Sequence, residues 1–419
     1  MTLAQDPLYV TDDWPADLLI TLVKAGVAFA FLLVAVMLNI WFLRKVISDF
    51  QNRIGPNIAG PWGILQTLAD GIKLFFKEDL VPDNADRFAF KLAPYLSLIP
   101  AFLVFAIVPI GGDFNRDDGT DGVVTLFGHD TFLQVADPPI GILFFLAMSS
   151  LAIYGVMLAG WGSGSKYPLL GSVRASAQMV SYEAALGLAL AAVVLQTGSL
   201  STHDMVIDQA TGGSAFLGID FPNWNIIVTG LVPFIVFLIA GTAELNHPPF
   251  DLVEAEQELV GGFHTEYSSI RFALFFLAEF MNQITIGGII VTLFLGGPAG
   301  PALFLPEGWW VGTIWFFLKL SFFLFLFVWI RATLPRFRYD QLMDLGWKFL
   351  IPISLGWLIL LAGLRVGDDN GWSAVETFAY AVGVIAVCAL LGTMLMAAVR
   401  TARAERIAQL SNGEEVTHG

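Results

Sequence analysis

The chain has 419 residues, of which 56% are hydrophobic and only 14% are charged. A soluble globular domain carries roughly 25% charged residues, so this composition excludes an ordinary soluble fold and predicts an all-α bundle of transmembrane helices. The single cysteine, Cys388, excludes an internal disulfide and a cysteine-ligated iron–sulfur cluster within this chain. The formal net charge of −15 does not by itself indicate a cationic partner, and we expect no nucleic-acid partner.

Nine apolar stretches are each near the ~20 residues that a helix needs to cross a bilayer. They cover residues 17–43, 91–110, 139–160, 175–196, 225–243, 268–295, 309–330, 347–363 and 373–398. The fourth stretch is the weakest prediction because it contains Glu183. The loops at 111–137 and 197–224 are rich in Gly, Asp and Thr and are predicted to be solvated connectors.

The segment between spans one and two has the pattern of a surface helix. A Gly60-Pro61 break precedes apolar residues at helical spacing, and polar residues fall on another face. The apolar set is Trp62, Leu65, Leu68, Ile72 and Phe75, and the polar set is Gln66, Asp70, Lys73 and Lys77. This pattern predicts an amphipathic helix lying along the membrane surface, either as a plain anchor or with a functional role.

Lysine and arginine are distributed unevenly between the two sides of the predicted bundle. Of the 21 basic residues, 17 fall on one set of loops and span ends, and only Lys24, Arg116 and Arg365 fall on the other. Because basic loops stay in the cytoplasm, we expect the N-terminus outside and the C-terminus in the cytoplasm.

An acidic segment, residues 244–279, joins the fifth and sixth spans on the predicted cytoplasmic side. It contains seven carboxylates and one strong base, Arg271. The carboxylates are Glu244, Asp251, Glu254, Glu256, Glu258, Glu266 and Glu279. Burial and like charges raise carboxylate pKa values, so such a cluster can hold and pass protons near neutral pH. A docking patch for a basic partner is the alternative for some of these residues, and no metal site is predicted because His247 and His264 lack a short ligand spacing.

Three ionisable residues, Glu183, Glu279 and Lys319, lie within predicted spans. A charge at the bilayer centre costs at least ~2.5–3.5 kcal/mol, so each needs a partner, either in a proton path or in a structural contact between helices. Together with the acidic segment, the three favour a path. A basic cluster at Arg331, Arg336 and Arg338 indicates positive-inside anchoring, docking of a soluble partner or pairing with the acidic segment.

Several stretches between about residues 40 and 350 resemble one membrane-subunit family of the NADH-quinone oxidoreductases, or respiratory complex I. It is the family of the H subunit, whose mitochondrial counterpart is ND subunit one. The matching stretches are QNRIGPN, GPWGILQTLADGIKLFFKE, LAGWGSGSKYPLLGSVRASAQMVSYE, AELNHPPFDLVEAEQELVGGFHTEYSSIRFALFFLAEF and RATLPRFRYDQLMDLGWK. The resemblance implies a membrane subunit of a proton-translocating enzyme complex that closes the quinone chamber against the peripheral arm. It implies no redox centre or cofactor in this chain, with FMN and iron–sulfur clusters in partner subunits.

The resemblance also implies roles for single residues. Glu183, Glu244, Glu254, Glu256, Glu258 and Glu279 match the proton path toward the small membrane and antiporter-like subunits. Arg53, Asp70, Lys73 and Arg271 match the quinone entrance or chamber. The sequence departs from the family pattern at Leu43, His247 and Val253, and the change at His247 removes an entrance charge or makes it titratable.

The resemblance divides the chain into a core of eight membrane helices, residues 1–363, and an extra helix with a cytoplasmic tail, residues 364–419. It places the protein in the bacterial inner membrane as a multi-pass subunit. Two alternatives stay open from the sequence: the equivalent subunit of a membrane-bound hydrogenase or other dehydrogenase, and a stand-alone ion-coupled transporter. The transporter would need internal repeats or discontinuous helices around a midplane site, and the sequence indicates neither.

Overall fold

The computed structural model describes residues 6–10, 14–114, 122–211, 214–216, 219–252, 259–301 and 308–411. In chain order, its helices are α1 (Trp14–Phe50), α2 (Gln66–Phe76), α3 (Arg87–Phe105), α4 (Gly141–Gly162), α5 (Lys166–Thr197), α6 (Thr202–Ala210), α7 (Asn225–Val228), α8 (Leu231–Glu244), α9 (Ser269–Phe294), α10 (Trp309–Thr333), α11 (Tyr339–Leu345), α12 (Ile351–Asp369) and α13 (Ala374–Ser411). Short 3-10 turns at Pro7–Val10, Pro61–Gly63 and Gly262–His264 and a π-helical turn at Gly346–Leu350 complete the helical part.

Two short antiparallel hairpins are the strands that the structure describes. The first pairs β1 (Val123–Leu126) with β2 (His129–Phe132), and the second pairs β3 (Ser214–Phe216) with β4 (Ile219–Phe221). Both hairpins and α6 lie at one end of the bundle, which we call the hairpin face. The opposite end carries α2, α11 and the loop between α8 and α9, and we call it the loop face.

Eight helices in the described part of the chain are long and apolar enough to cross a membrane, with α11, the π-helical turn and α12 counted as one continuous helix. The predicted fold class, a polytopic helical bundle, is therefore confirmed. The predicted span at 225–243 is wrong in one respect, because it is not continuous: α7 ends at Val228 and α8 begins at Leu231. Gly230 has a φ of 80°, which glycine adopts without strain, and the Trp357 indole donates to the carbonyl of Thr229 at 2.8 Å.

Helix α9 is the central helix of the bundle, and α13 is the peripheral one. In α9, 72% of the most apolar window is buried within the chain, whereas the corresponding value for α13 is 0%. Helix α3 packs against both α9 and α4, and its contact with α4 is close because small residues face each other: a side-chain carbon added at Gly155 would lie 2.8 Å from the backbone nitrogen of Ser97. Backbones therefore approach closely where the buried polar residues lie, as is typical of membrane bundles.

The loops of the hairpin face are packed rather than solvated, so that prediction is wrong for much of them. His203 is buried and stacks on Phe132 with ring centroids 3.6 Å apart. Lys24 is also buried and donates to Asp6 at 3.0 Å and to Thr131 at 2.9 Å. Polar side chains here pack against strand β2 and bond to one another, which composition alone did not reveal.

Lys319 lies near the hairpin face and does not reach the acidic segment. Its ammonium donates to three backbone carbonyls just beyond the end of α9, those of Leu295 at 2.6 Å, Gly297 at 2.9 Å and Ala299 at 2.5 Å. The Trp224 ring lies 5.0 Å from the same nitrogen. The contacts are those of a structural cap on a helix C-terminus, where a cation is favourable, and the inclusion of Lys319 in a proton path is not supported.

Candidate functional site

The loop between α8 and α9, residues 245–268, is held against the bundle by buried polar contacts. The Gln178 amide of α5 donates to the carbonyls of Ala243 at 2.7 Å and Phe250 at 2.9 Å. Asp251 is buried and forms an ion pair with Arg336 at 2.7 Å. Pairing with the acidic segment was one of the three predicted roles of the basic cluster, and Arg336 makes such a pair.

Glu244, the last residue of α8, lies between two small cavities. One cavity, of about 60 Å³, also contacts Ser97, Asn282 and Glu279, and the second, of about 20 Å³, also contacts Asn282 and Thr285. Both volumes exceed the roughly 10–15 Å³ that a cavity needs, measured in this way, to hold one water molecule. Among the residues that the structure describes, no partner lies within hydrogen-bond distance of Glu244 Oε2, Ser97 Oγ or Thr285 Oγ1, although all three atoms are buried. Buried polar atoms of this kind favour water in such cavities.

Two neighbouring serines of α4 connect Glu244 to Glu183. The Ser149 hydroxyl donates to Glu244 Oε1, and the Ser150 hydroxyl donates to Glu183 Oε1. The two carboxylates are close enough for their charges to interact. Three of the predicted path residues are therefore brought together, because Glu279 shares a cavity with Glu244 and Glu244 is joined to Glu183 through α4.

Glu279 has further contacts with a buried histidine. His247 Nδ1 lies 3.2 Å from Glu279 Oε1 and 3.0 Å from Arg331 Nη1. Burial, followed by the positive charge of Arg331, lowers the pKa of His247 to about 3. A pKa this low corresponds to a neutral imidazole near neutral pH.

His264 lines the larger cavity from the other side of the loop. Burial lowers its pKa to about 4, although the nearby charge of Asp251 acts in the opposite direction. It too is neutral near pH 7. Both histidines of the loop thus contribute polar atoms rather than positive charge to the region around Glu279.

The surface helix α2 is fixed to the bundle at both ends, and its apolar face is exposed. Burial raises the pKa of Asp70, but the hydrogen bond and charge of Arg44 outweigh this effect and the net pKa is lowered. The Arg44–Asp70 ion pair, at 2.8 Å, joins α2 to α1, with Lys73 at 3.9 Å from Asp70. Ser269 at the start of α9 donates to the carbonyl of Lys77 at 2.7 Å, just beyond the end of α2.

The exposed apolar face of α2 agrees with the predicted amphipathic helix. Leu68, Ile72 and Phe75 of α2 are between 44% and 70% exposed, and Trp62 and Leu65, which precede the helix rather than belong to it as predicted, are 71% and 47% exposed. In a membrane, this face would contact lipid while Asp70 and Arg44 remain at the boundary.

Arg53 and Arg271 lie on either side of α2 and have different surroundings. Arg53 is exposed, donates to Gln51 at 2.6 Å and, with Arg44, lines an open groove of about 340 Å³ at the end of α1. Arg271 is half-buried, forms an ion pair with Asp79 at 2.9 Å and lies 5.5 Å above the Phe90 ring. The two arginines therefore do not share one pocket with the carboxylates, and their assignment to a quinone surface stays a prediction.

Glu254, Glu256 and Glu258 lie outside the residues that the structure describes, so their predicted roles stay predictions. Sequence reasoning missed Ser149, Ser150 and the contact of Arg331 with His247. Single serines in an apolar span carry no distinctive pattern, and Arg331 had an ordinary explanation as a membrane anchor. In the described part of the chain, no group of three or more His, Cys, Asp or Glu side chains is placed to hold a metal ion.

Comparison with known proteins identifies the family. The family model described as NADH dehydrogenase matches residues 23–362. The chain belongs to the NADH dehydrogenase family.

Relatives of this NADH dehydrogenase family member carry a consistent name. A protein of Frankia casuarinae named as the H subunit of NADH-quinone oxidoreductase is 48% identical over 398 residues, which are 93% of this chain and 82% of that protein. Proteins with the same name from Streptomyces avermitilis and Cutibacterium acnes are 45% and 44% identical, over 89% and 92% of this chain and 79% and 86% of their own lengths. The similarity extends beyond the residues that the family model matches.

Proposed function

We propose that this chain is the membrane-embedded H subunit of an NADH-quinone oxidoreductase and that it couples quinone reduction to proton movement. The names of its relatives support the enzyme complex, and the arrangement of its carboxylates supports the proton path. Other subunits of the same complex would be its partners and would supply FMN and iron–sulfur clusters. The chain itself would act as a wall of the quinone chamber and as a conductor of protons.

The observation that carries this proposal is the position of Glu244. Its carboxylate binds Ser149 with one oxygen, and its other oxygen is buried next to cavities that reach Glu279 and Thr285. A carboxyl group can pass protons when donors and acceptors lie within hydrogen-bond distance directly or through one water. The water-sized cavities beside Glu244 and the adjacent serines of α4 support such a series, from Glu279 through Glu244 to Glu183.

The proposed quinone surface is supported by the position of α2. Its exposed apolar face lies beside the open groove of Arg44 and Arg53 on one side and the start of α9 on the other. A quinone has an apolar tail and a polar head, and it requires an apolar approach that ends near polar groups. We propose that Asp70, Lys73 and Arg271 border this approach.

The proposed orientation places the loop face in the cytoplasm. Most of the arginines and lysines lie on this face, as the positive-inside rule requires of a cytoplasmic side. The loop between α8 and α9 would then face the peripheral arm, and Glu183 would face the neighbouring membrane subunits. Glu254, Glu256 and Glu258 would extend the path or dock the arm.

Glutamine substitutions test the proton path directly. Glu244→Gln and Glu183→Gln keep the side-chain shape but cannot carry a proton, so NADH-driven proton pumping by the assembled complex should fall about tenfold or more, since positioned proton-transfer groups commonly contribute 10²–10⁴-fold. Pumping is measured in inverted membrane vesicles, together with assembly of the complex by native gel electrophoresis.

Glu376→Gln is a matched control, because Glu376 is an exposed residue of α13 whose carboxylate accepts from Ser373 at the start of that helix. It should leave assembly and pumping unchanged. Normal pumping by both fully assembled path variants would contradict the proposed proton path. Failure of the control variant would instead indicate a general effect of removing a carboxylate.

A further inference from the structure

His247 lies where the loop leaves α8, and one atom of its buried ring is shared by two charged neighbours. Its Nδ1 is 3.0 Å from Arg331 Nη1 and 3.2 Å from Glu279 Oε1. These two residues come from α10 and α9 and are the charged groups that face the imidazole within the described part of the chain. The neutral amide of Gln283 also interacts with the ring, and its Oε1 accepts from Asn39 at 2.9 Å.

A single ring nitrogen cannot satisfy both neighbours at once. Arginine is always a donor, so Nδ1 must offer its lone pair to accept from Arg331. An ionised carboxylate is only an acceptor, so Nδ1 must carry a proton to bond with an ionised Glu279. A protonated Glu279, in contrast, is itself a donor and competes with Arg331 for the same lone pair.

The contact with Arg331 leaves the lone pair of the ring on Nδ1. A neutral imidazole that accepts at Nδ1 carries its proton on Nε2, which is buried in the bundle. Burial and the charge of Arg331 keep the imidazole neutral near pH 7, as its pKa of about 3 indicates. A change at this contact must therefore come from the protonation of Glu279 and not from the ring.

We propose that His247 is a positioning residue whose Nδ1 accepts from Arg331 when Glu279 is ionised and from Glu279 when it is protonated. A proton on Glu279 thus releases the Arg331 guanidinium. This inference rests on the proposed function, because it takes Glu279 as a member of the proton path. Arg331 lies on the last turn of α10, shortly before Arg336, which binds Asp251 in the loop. Release of Arg331 therefore connects a proton in the membrane to the position of the loop.

A structure of the intact complex carrying Glu279→Gln tests the competition directly. Glutamine has nearly the shape of glutamate and carries a permanent amide donor, so it imitates the protonated carboxyl group. The Gln side chain should donate to His247 Nδ1, and Arg331 should withdraw beyond about 3.5 Å, outside hydrogen-bond distance. An Arg331 guanidinium that stays bonded to Nδ1 in this variant would overturn the proposal.

A second variant, His247→Asn, removes the competition without removing polarity. The asparagine amide offers an oxygen to Arg331 and an NH₂ group to Glu279, so both contacts can exist at once. The pH-dependent change in NADH-driven pumping should shrink by about fivefold or more, at the lower end of common coupling strengths. The same substitution at His129, a half-exposed residue of β2 on the hairpin face, should keep the wild-type pH profile.

An unchanged pH profile in His247→Asn would also overturn the proposal. Glu244→Gln, measured in the same preparations, separates the two possible failures. If Glu244→Gln abolishes pumping while Arg331 stays fixed, only the role of His247 is wrong. If Glu244→Gln pumps normally, the proton path itself is wrong.

Discussion

Replacement of Lys319 by methionine distinguishes a structural cap from a proton carrier. Methionine keeps most of the length of the side chain but removes the charge and all three donors to Leu295, Gly297 and Ala299. A hydrogen bond from a charged donor contributes about 1.5–3 kcal/mol, and a buried carbonyl left without a partner costs about 1–3 kcal/mol. Some of the carbonyls can find other donors, so we expect a loss of about 1–3 kcal/mol for each carbonyl that stays without a partner.

The assay is thermal unfolding of the purified complex together with pumping per NADH oxidised. Lys319→Met should lower the melting temperature and the yield of assembled complex, but the complex that does assemble should pump a normal number of protons. Lys348→Met is the control, because Lys348 makes a surface ion pair with Asp344 at 2.7 Å, a contact worth about 0.3–0.5 kcal/mol. An unchanged melting temperature with a loss of pumping would refute the structural interpretation and return Lys319 to the proton path.

Two further predictions concern packing and pH. A side-chain carbon added at Gly171 would lie 2.8 Å from the Gly262 backbone. Gly171→Ala should therefore force α5 and the loop apart and reduce the amount of assembled complex on a native gel. Gly187→Ala is the control, because Gly187 lies on the same helix with open space around it, and this variant should assemble normally. Burial raises the pKa of Asp137 to about 6 against the effect of its bond with Ser201, so the folded protein keeps this proton while the unfolded chain loses it near pH 3.8. The free energy of unfolding therefore falls as the pH rises from about 4 to 6, at about 1.4 kcal/mol per pH unit. The melting temperature of Asp137→Asn should not show this fall between pH 4 and 6. An equal dependence of melting temperature on pH in the variant and the wild type would contradict the assignment.

The membrane-length helices followed from the sequence because the bilayer imposes a length and a composition on each spanning helix. The predicted stretches correspond to helices of the structure, and the weakest of them, with Glu183, is the long helix α5. The break at Gly230 was not predicted, because α7 and α8 together read as one apolar stretch. The carbonyl of Thr229 at that break is satisfied by the indole of Trp357, 128 residues later in the sequence, and such a long-range contact leaves no local pattern.

The sequence pointed to the carboxylates of the candidate site but not to the side chains that connect them. Glu183 and Glu279 were singled out because a carboxylate in an apolar span is conspicuous, and Glu244 was singled out because it begins the acidic segment. Ser149 and Ser150, which connect two of them, were not found, because a serine costs little in a membrane helix and can bond to its own backbone. In the sequence, Lys319 is an ionisable residue within an apolar span, as Glu183 and Glu279 are. Its contacts with backbone carbonyls show a structural role that the sequence did not indicate.

Glu183 and Glu244 are proposed to belong to one continuous proton path, and a double-mutant cycle measures whether the two residues act in series. The measured quantity is the rate of NADH-driven proton pumping by wild type, Glu183→Gln, Glu244→Gln and the double variant, each corrected for assembled complex. Groups that act in series are not additive, so the double variant should pump about as fast as the slower single variant. A double variant whose loss equals the product of the two single losses would show independent sites and contradict a continuous path.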